Sequence, residues 1–599
     1  MNNRKIYLFI IICQVLASSF VQAQQPIIDS LSSQTLTRSG RLIIFGKNFG
    51  SSMVGNQVII GGHNAIISRW NTNKIVAYVP EDAGPGNVNV KIVTSAGSSN
   101  EVQLNVTLRS TNGRVKWVFE ADVDNLWFRP AVSSDGTIYI HGSEGYVYAL
   151  KPDGGLKWIH QVNWYAYVPP AVGPNGVVYV GSIKKITAIN PDGTERWSFT
   201  DESAQGVKCG AAIGPNGNIY LANDLGIGAY SLSSTGRLLW NNPGNPQLTW
   251  YGSTGAETVL GPKTSGGPIE QMYVVAEPRQ STWTLQAFSL SNGSQIFSIP
   301  ISGQHDPLSQ QQTQPAVGPD GTIYITHFRS NLGWVLEAYS PTNGQSLWYY
   351  FGNTVSGLTP PDVGSDGIVY YTQDRARLIA FNPNTRTPRW IYQDGTVLNY
   401  PTVSPNNDLV VVGGVKTFGD VGFIKGISCS SGRLQWTITL PGSFYPEPRV
   451  VPIHRPRFSS DGKTVYVSTT ILGGSSSNPH SFLYAITAGD TLTNVSSSST
   501  LPYEFQLSQN YPNPFNSKTK INWKSPISGH HTLKVYDMLG REVATLANDF
   551  KEAGVYEVEF DGSIDSEITS GVYFYQLKIV GSASMEKSYI ETKKMILLK

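Results

Sequence analysis

The chain is poor in the residues on which metal centres, disulfide scaffolds and most acid–base sites depend. Of 599 residues three are cysteine and nine histidine, and 14% are charged. The histidines are scattered, with no His-Glu-x-x-His and no Cys/His cluster at metal-ligand spacing, so no metal site is expected. No glycine-rich loop of the P-loop or dinucleotide type is present. Ser-x-x-Lys occurs at Ser182/Lys185 and Ser460/Lys463 without the other parts of a serine acyl-transfer site. Asp122 and Asp124 match the start of a calcium loop, but the later glycine and glutamate are missing. Forty-four basic residues against 42 acidic give a net charge of +2, which supplies no long-range attraction to nucleic acid or to an acidic membrane. Long apolar runs are also lacking. The longest, Ile6 to Leu16, falls short of the ~20 residues that cross a bilayer. It follows Arg4 and Lys5 and precedes Val21-Gln22-Ala23, the layout of a cleaved export signal. Residues 1–23 are therefore expected to be removed, leaving a mature chain from Gln24 with no transmembrane segment. Cys13 lies inside the run behind bulky Ile12, which argues against a lipid-attachment site.

What is plentiful is glycine, tyrosine, tryptophan, asparagine and serine, which suit short strands and tight turns and predict almost no helix. Between Asn112 and Thr487 one unit recurs eight times. Its first signature is a glycine four residues before a tryptophan: Gly113/Trp117, Gly154/Trp158, Gly193/Trp197, Gly236/Trp240, Gly344/Trp348 and Gly432/Trp436. Gly293/Phe297 and Arg386/Trp390 are worn copies. The second signature is a Pro-Ala-Val, turn, Ile-Tyr-Ile segment starting at Pro130, Pro170, Ala211, Pro315 and Pro361, with weaker copies near Thr258, Pro401 and Pro456. Asp-Gly or Asn-Gly pairs such as Asp135-Gly136 and Asn175-Gly176 supply the positive φ of the hairpin turns inside it.

Each unit thus reads as four strands: Pro-Ala-Val, Ile-Tyr-Ile, a Tyr-Ala-Leu type strand and the Trp strand. The period is about 47 residues, that of a propeller blade. The order is offset, because the Trp117 strand precedes the first Pro-Ala-Val and the last Tyr-Ala strand, Leu483 to Thr487, has no Trp strand after it. A closed eight-bladed ring over 112–487, sealed by the first strand completing the last blade, is predicted; an open solenoid would leave the offset strand without a partner. Cys209, placed at the start of the third inner strand, and Cys429, near a peripheral turn of the seventh copy, then lie on opposite sides and stay unpaired. The recurring tryptophans are expected to hold adjacent sheets together rather than to bind ligand.

Two further modules flank the ring, giving an all-β chain throughout. Residues 24–108 alternate as short strands, Leu42–Phe45, Val58–Ile60, Ile75–Val79 and Val88–Val93, separated by glycines, Pro80 and Pro85. Gly40-Arg-Leu-Ile-Ile-Phe-Gly-Lys-Asn-Phe-Gly50 and Val58-Ile-Ile-Gly-Gly62 resemble the IPT/TIG family of immunoglobulin-like sandwiches, which implies a spacer or binding module and no catalysis. The repeats resemble the PQQ-like, or tryptophan-docking, propeller repeat. That family includes quinoprotein dehydrogenases, whose quinone site uses an acidic base, acidic and amide calcium ligands and often a disulfide between adjacent cysteines. This chain has no adjacent cysteines, and no cofactor is expected. A polar linker, 488–500, leads to 501–599, where Asn510-Tyr-Pro-Asn-Pro-Phe-Asn516, Val535-Tyr-Asp-Met-Leu-Gly540, Ser570-Gly-Val-Tyr-Phe574 and the terminal Lys593 to Lys599 resemble the type A C-terminal sorting domain of the type IX secretion system. That resemblance implies a β-sandwich tail, the type IX machinery as partner, and delivery through the periplasm and outer membrane to the cell surface or the medium.

Candidate ligand-binding residues are the aromatics outside the tryptophan register, with two arginines at the threshold of inner strands: Trp127, Arg129, Trp164, Tyr165, Trp250, Tyr251, Tyr400, Tyr445 and Arg455. They fall in connections from an outer strand to the next inner strand, which share one face of a propeller around its central channel. Aromatic rings with a few paired donors suit sugar rings or extended peptide. The sequence therefore reads as a secreted or cell-surface binding protein for a glycan or peptide. An enzyme acting on polysaccharide or peptide through Glu447, Asp306 and Glu257, and a structural or adhesion component, are the alternatives.

Overall fold

A computed structural model describes residues 24–109, 114–489 and 505–598, apart from internal segments of which 163–168, 201–208, 223–228, 243–255, 277–282, 302–313, 416–421, 441–448, 473–480 and 582–587 are the longest. The described residues contain strands, turns and no helix, so none of them forms a helix long and apolar enough to cross a membrane. Contacts divide the chain into two compact units, 1–109 and 110–599. The export signal expected in 1–23 lies outside the described residues.

The first unit is a two-sheet sandwich. One sheet orders Ile27–Leu31, Arg41–Lys47, Lys74–Tyr78 and Ile66–Trp70; the other orders Thr35–Thr37, Val102–Thr107, Gly86–Thr94, Gln57–Ile60 and His63–Asn64, with Gly97–Ser98 paired to Gly86–Thr94. Alternation in the sequence directs Leu42, Ile44, Val58, Ile60, Val90 and Ile92 into one apolar core. One pair departs from the antiparallel rule of the sandwich: Val102–Thr107 pairs with Thr35–Thr37 in parallel. The indole N–H of Trp70 donates to the carbonyls of Phe49 and Gly50, each at 3.1 Å, and pins the loop that follows Arg41–Lys47.

The second unit contains eight four-stranded sheets between Val115 and Thr487 among the described residues. Numbered along the chain, their innermost strands are Ala131–Val132, Ala171–Val172, Ala212–Ile213, Val259–Pro262, Ala316–Val317, Asp362–Val363, Val397–Val403 and Arg457–Phe458. Sheet 8 is finished by Val115–Ala121, which pairs antiparallel with Ser481–Thr487, so the two ends of the repeat region meet in one sheet. Thr487 N donates to Arg114 O at 2.8 Å and the Arg114 guanidinium to Gly489 O at 2.9 Å, which fastens the seam. Cys209 falls just ahead of the third innermost strand rather than in it. It pairs in parallel with Ala256 in a two-residue ladder that joins the leading segments of sheets 3 and 4. Cys429 is buried and free.

The glycine and the tryptophan of each signature serve different interfaces. In every sheet the Trp or Phe lies on the outermost strand, and in six of the eight its ring covers the turn glycine of the following sheet. Gly154 has φ +88°, and a Cβ added there would sit 2.7 Å from Trp117; at Gly193, φ +91°, it would sit 2.7 Å from Trp158. The same contact joins Gly236 to Trp197, Gly293 to Trp240, Gly344 to Phe297 and Gly432 to Trp390. Beside each tryptophan contact the indole N–H donates to a carbonyl of that next turn: Trp117 to Pro152, Trp158 to Pro191, Trp197 to Ser234, Trp240 to Leu290 and Trp390 to Cys429, at 2.8 to 3.0 Å. Within its own sheet the ring lies against the tyrosine of Ile-Tyr-Ile, as Trp158 does against Tyr139 at 5.8 Å. The worn copy follows from this geometry. Arg386 takes the turn glycine's place at φ +57°, and Trp348 packs instead on Phe381 at 5.6 Å. At the seam Trp436 donates to Ala488 O at 3.1 Å under the Arg114 guanidinium.

The C-terminal module, 505–598, packs a three-stranded sheet (Gln506–Leu507, Lys518–Ser525, Gly554–Asp561) with a four-stranded one (Glu542–Lys551, Gly529–Tyr536, Gly571–Gly581, Ser588–Leu597) around Trp523, Leu533, Tyr575 and Leu577. Strand alternation puts adjacent histidines on opposite faces: His530 is exposed and His531 fully buried. Trp523 Nε1 donates to His531 Nδ1 at 3.1 Å, and burial, reinforced by the Lys551 charge, pushes the imidazole down to about 4.

Two outcomes follow. Trp158→Ala should destabilise the ring by about 3–5 kcal/mol, and Gly193→Ala by about 1–3 kcal/mol through overpacking and positive φ. The double variant should fall well short of the sum, because removing the ring vacates the space the methyl needs; denaturant unfolding of the four proteins closes that cycle. For His531 the folded group ionises below its ordinary 6.5, so its contribution is complete above that pH and is lost as pH falls through about 4. Hydrogen-exchange protection in Gly529–Tyr536 should decline over that interval in the native chain, and His531→Phe should remove the decline.

Candidate functional site

Register links each tryptophan to the centre of the ring. Cross-strand neighbours run Trp158, Ala149, Tyr139, Ala131 in sheet 1, and the corresponding rows end inward at Ala171, Ala212, Val259 and Ala316 in sheets 2 to 5. In sheets 6 to 8 the rows end at Asp362, Thr402 and Arg457. A run of small apolar row ends therefore gives way to three polar ones on consecutive sheets.

Two residues before each row end, at the entrance to the innermost strand, stand Arg129 in sheet 1, Tyr400 in sheet 7 and Arg455 in sheet 8. Three of the expected site residues thus share one position on neighbouring sheets. Tyr400 was expected in a connection. It lies instead within Val397–Val403, where the ladder slips between Leu398 and Pro401, and its side chain is 4% exposed. Trp127, Trp164, Tyr165, Trp250, Tyr251 and Tyr445 lie outside the described residues, as do Asp306 and Glu447. Glu257 occupies the same entrance position in sheet 4, paired through its backbone with Gly210.

A cavity of about 540 Å³ fills the centre, lined by innermost strands and following turns of sheets 1, 4, 5, 6, 7 and 8. Arg129, Asp362, Thr402, Arg455 and Arg457 line it on one side, with an apolar collar of Val132, Leu260, Val317, Val363, Val403 and Phe458. Arg455 reaches past sheet 7: its Nη2 donates to Pro361 O at 2.8 Å and its Nη1 stands 4.0 Å from Asp362 Oδ1. Asp362 Oδ2 accepts from Val403 N at 2.9 Å, and Thr402 Oγ1 donates to Pro456 O at 3.1 Å. These bonds cross-link sheets 6, 7 and 8 at the channel and hold the Arg455 guanidinium in a fixed plane. Among the described residues no group of three or more His, Cys, Asp or Glu could hold a metal ion, and the one carboxylate lining the cavity, Asp362, is engaged by Val403 and Arg455. The acid and amide ligand set of the calcium-quinone members is not met by this lining.

A second polar cluster, which the sequence did not signal, centres on two buried side chains of sheet 5. His327 Nε2 is 2.8 Å from Glu337 Oε2 and 3.3 Å from the Tyr339 hydroxyl, and Ser346 Oγ donates to Glu337. Burial raises the Glu337 pKa, but the bonds from His327 and Ser346 and the charges of His327 and Arg329 outweigh it and hold the carboxyl below its usual range. With His327 and Glu337 each 2% exposed at the side chain, the centre of this network is buried, and its bonds tie three strands of the sheet together. Its residues match no catalytic motif, and the pairing of Gly333–Tyr339 with Ile323–Arg329 on one side and Ser346–Phe351 on the other brings them together.

Comparison with known proteins fits this geometry. The family described as outer membrane protein assembly factor BamB, a PQQ-like repeat, matches residues 104–327, 168–392 and 331–480, together more than half of the chain. The chain belongs to this PQQ-like repeat family. The IPT/TIG domain family matches 26–106, and the secretion system C-terminal sorting domain matches 509–591. No curated protein sequence matches. Among solved structures, the chain is similar to one titled as the Dos1 propeller (12% identity, 62% of this chain and 94% of that one, TM-score 0.48). It is also similar to BamB from Moraxella catarrhalis (14%, 62% and 96%, TM-score 0.41) and to the C-terminal WD40 domain of Sif2 (11%, 62% and 99%, TM-score 0.45). The sorting domain places the PQQ-like protein among those exported by the type IX system to the cell surface or extracellular space, with the secretion machinery as a partner. Its propeller and IPT/TIG domain give it a binding or structural role there.

Asp362→Ala should leave Val403 N–H without its acceptor and Arg455 without its carboxylate. We expect a loss of about 1–3 kcal/mol in ring stability, read by denaturant unfolding.

Proposed function

We propose that this PQQ-like protein is a non-enzymatic binding protein, carried out of the cell by its sorting domain, that recognises a glycan or peptide through the propeller face around the channel. The observation that carries this reading is that Arg129 and Arg455, at one repeat position on neighbouring sheets, both line the central cavity. Close by, the row ends change from Ala or Val in sheets 1 to 5 to Asp362, Thr402 and Arg457 in sheets 6 to 8. Such a departure supports a local task, since a ring needing only to stand up would keep small residues at every row end. The aromatic-rich connections containing Trp127, Trp164 and Trp250 would extend that sector, offering flat apolar area at low conformational entropy cost. The IPT/TIG sandwich would act as spacer or second contact.

The test is a glycan and peptide array probed with the full chain and with a Trp127/Trp164/Trp250 triple alanine variant of unchanged thermal stability. Selective binding that the variant loses supports recognition by this face. Conversion of a spotted substrate would replace the reading with an enzyme, and silence from both proteins would leave a structural or adhesion role.

A further inference from the structure

We infer that the outermost strand of sheet 5, Ser346–Phe351, is a docking edge for a second copy of this chain, paired antiparallel about Tyr349. Among the described residues no strand pairs with its outer side, so alternate backbone N–H and C=O groups there stand without a ladder. One face of the strand is engaged: Trp348 and Tyr350 pack on Phe381 of sheet 6, with ring centroids 5.6 and 4.7 Å apart. The other face presents Leu347, Tyr349 and Phe351, each 45 to 50% exposed. The two rings are nevertheless held in place. The Arg329 guanidinium lies 4.8 Å from the centre of Tyr349, and Phe351 lies against Gly333, where an added Cβ would sit 3.1 Å from the ring.

This edge lacks the protection that its equivalents carry. Exposed sheet edges are ordinarily blunted by charge or proline. One residue before the tryptophan, the outermost strands of sheets 8, 1, 2 and 6 have Lys116, Lys157, Arg196 and Arg389, and sheet 4 has Pro300 three residues after its phenylalanine. In sheets 3 and 7 the residue after the tryptophan is polar, Asn241 and Thr437. Sheet 5 alone among the described outermost strands has a large apolar residue one before, one after and three after its tryptophan, and it has no charge or proline from Ser346 to Phe351.

The apolar pattern reads the same in both directions about its centre. In an antiparallel pair of identical strands centred on Tyr349, Leu347 faces Phe351 of the copy, Tyr349 faces its own counterpart and Phe351 faces Leu347, so every cross-strand pair on that face is apolar. Such self-matching is what a twofold interface requires. An uncharged strand also tolerates its own copy, whereas a lysine or arginine near the axis would bring like charges together. Arg329 stands nearby, but Glu337 Oε1 lies 3.7 Å from it and offsets its charge. One strand pair with three large side chains per copy falls at the small end of protein interfaces, which implies a reversible dimer rather than an obligate one.

The experiment is sedimentation of the full chain from about 1 to 100 µM, a range suited to a small reversible interface. Tyr349→Lys and Tyr349→Glu are run beside it, with thermal unfolding to check that each variant folds. We expect the native protein to pass from monomer to dimer across that range, and each variant alone to dimerise about tenfold or more weakly. An equimolar mixture of the two should recover the dimer, because opposite charges then meet at the axis. Cysteine substitution fixes the register. Tyr349→Cys should give a disulfide-linked dimer on mild oxidation, since directly opposed residues have Cα atoms about 4.5 to 5.5 Å apart, within the span of a disulfide. Phe351→Cys should not, because its counterpart lies roughly 13 Å along the pair. A native chain that stays monomeric throughout the range would overturn the proposal. So would a dimer that both charge variants leave intact, a mixture that recovers nothing, or cross-linking of Phe351→Cys as fast as Tyr349→Cys.

Discussion

The contact between a tryptophan ring and a glycine of the next sheet is the constraint on which the rest of the ring depends. A ring burying roughly 150–250 Å² is the largest apolar contact a single side chain can make. It reaches that area here only because its partner residue has no side chain and holds positive φ. The indole N–H then finds the carbonyl of the same turn, so apolar burial and hydrogen bonding are satisfied by one placement. Because the donor belongs to one sheet and the floor to the next, the interface is heterologous and repeats until the ring closes. The paired cross-strand row from Trp through Ala and Tyr to the innermost strand carries that registration inward. A fixed outer contact therefore fixes which residue of each sheet reaches the channel.

This coupling explains how one sector can differ from the rest without disturbing the ring. The row ends are the residues furthest from the tryptophan docks, separated by two strands of buried tyrosine and alanine. Substituting Ala by Asp or Thr there adds polar groups only at the channel, where Val403 N and Pro456 O pair with them. Similar rings can in this way carry different chemistry at the centre while their outer contacts stay alike, which is why family membership alone does not name a ligand.

The sequence carries much of this fold on its face. The four-residue spacing of glycine and tryptophan, the Asp-Gly turns and the offset first strand are local features, and local features survive in one dimension. It does not carry the partnership between a glycine and the tryptophan of the preceding unit, because those residues are some 35 to 50 positions apart and meet only across sheets. The site was legible in part for the same reason. Arg129 and Arg455 stand directly before a Pro-Ala-Val type segment and could be placed beside the channel from that motif. Tyr400 was assigned to a connection because its unit is worn, and the slip between Leu398 and Pro401 lengthens the strand to include it. Asp362, Thr402 and Arg457 stand where the motif has its Ala, and their shared place at the channel shows only when eight rows are laid in register.

The seam at Arg114, Thr487 and Gly489 has a consequence for how the chain is made. A ring sealed by its own first strand has no complete last sheet until residues 481–487 exist. A product that stops short leaves Val115–Ala121 with an unpaired edge, which invites adhesion to other chains. Because the sorting tail begins after the seam, a chain that carries the tail also carries every strand needed to close the ring. The order of modules therefore acts as an inspection step: the export address is written only on copies that are complete.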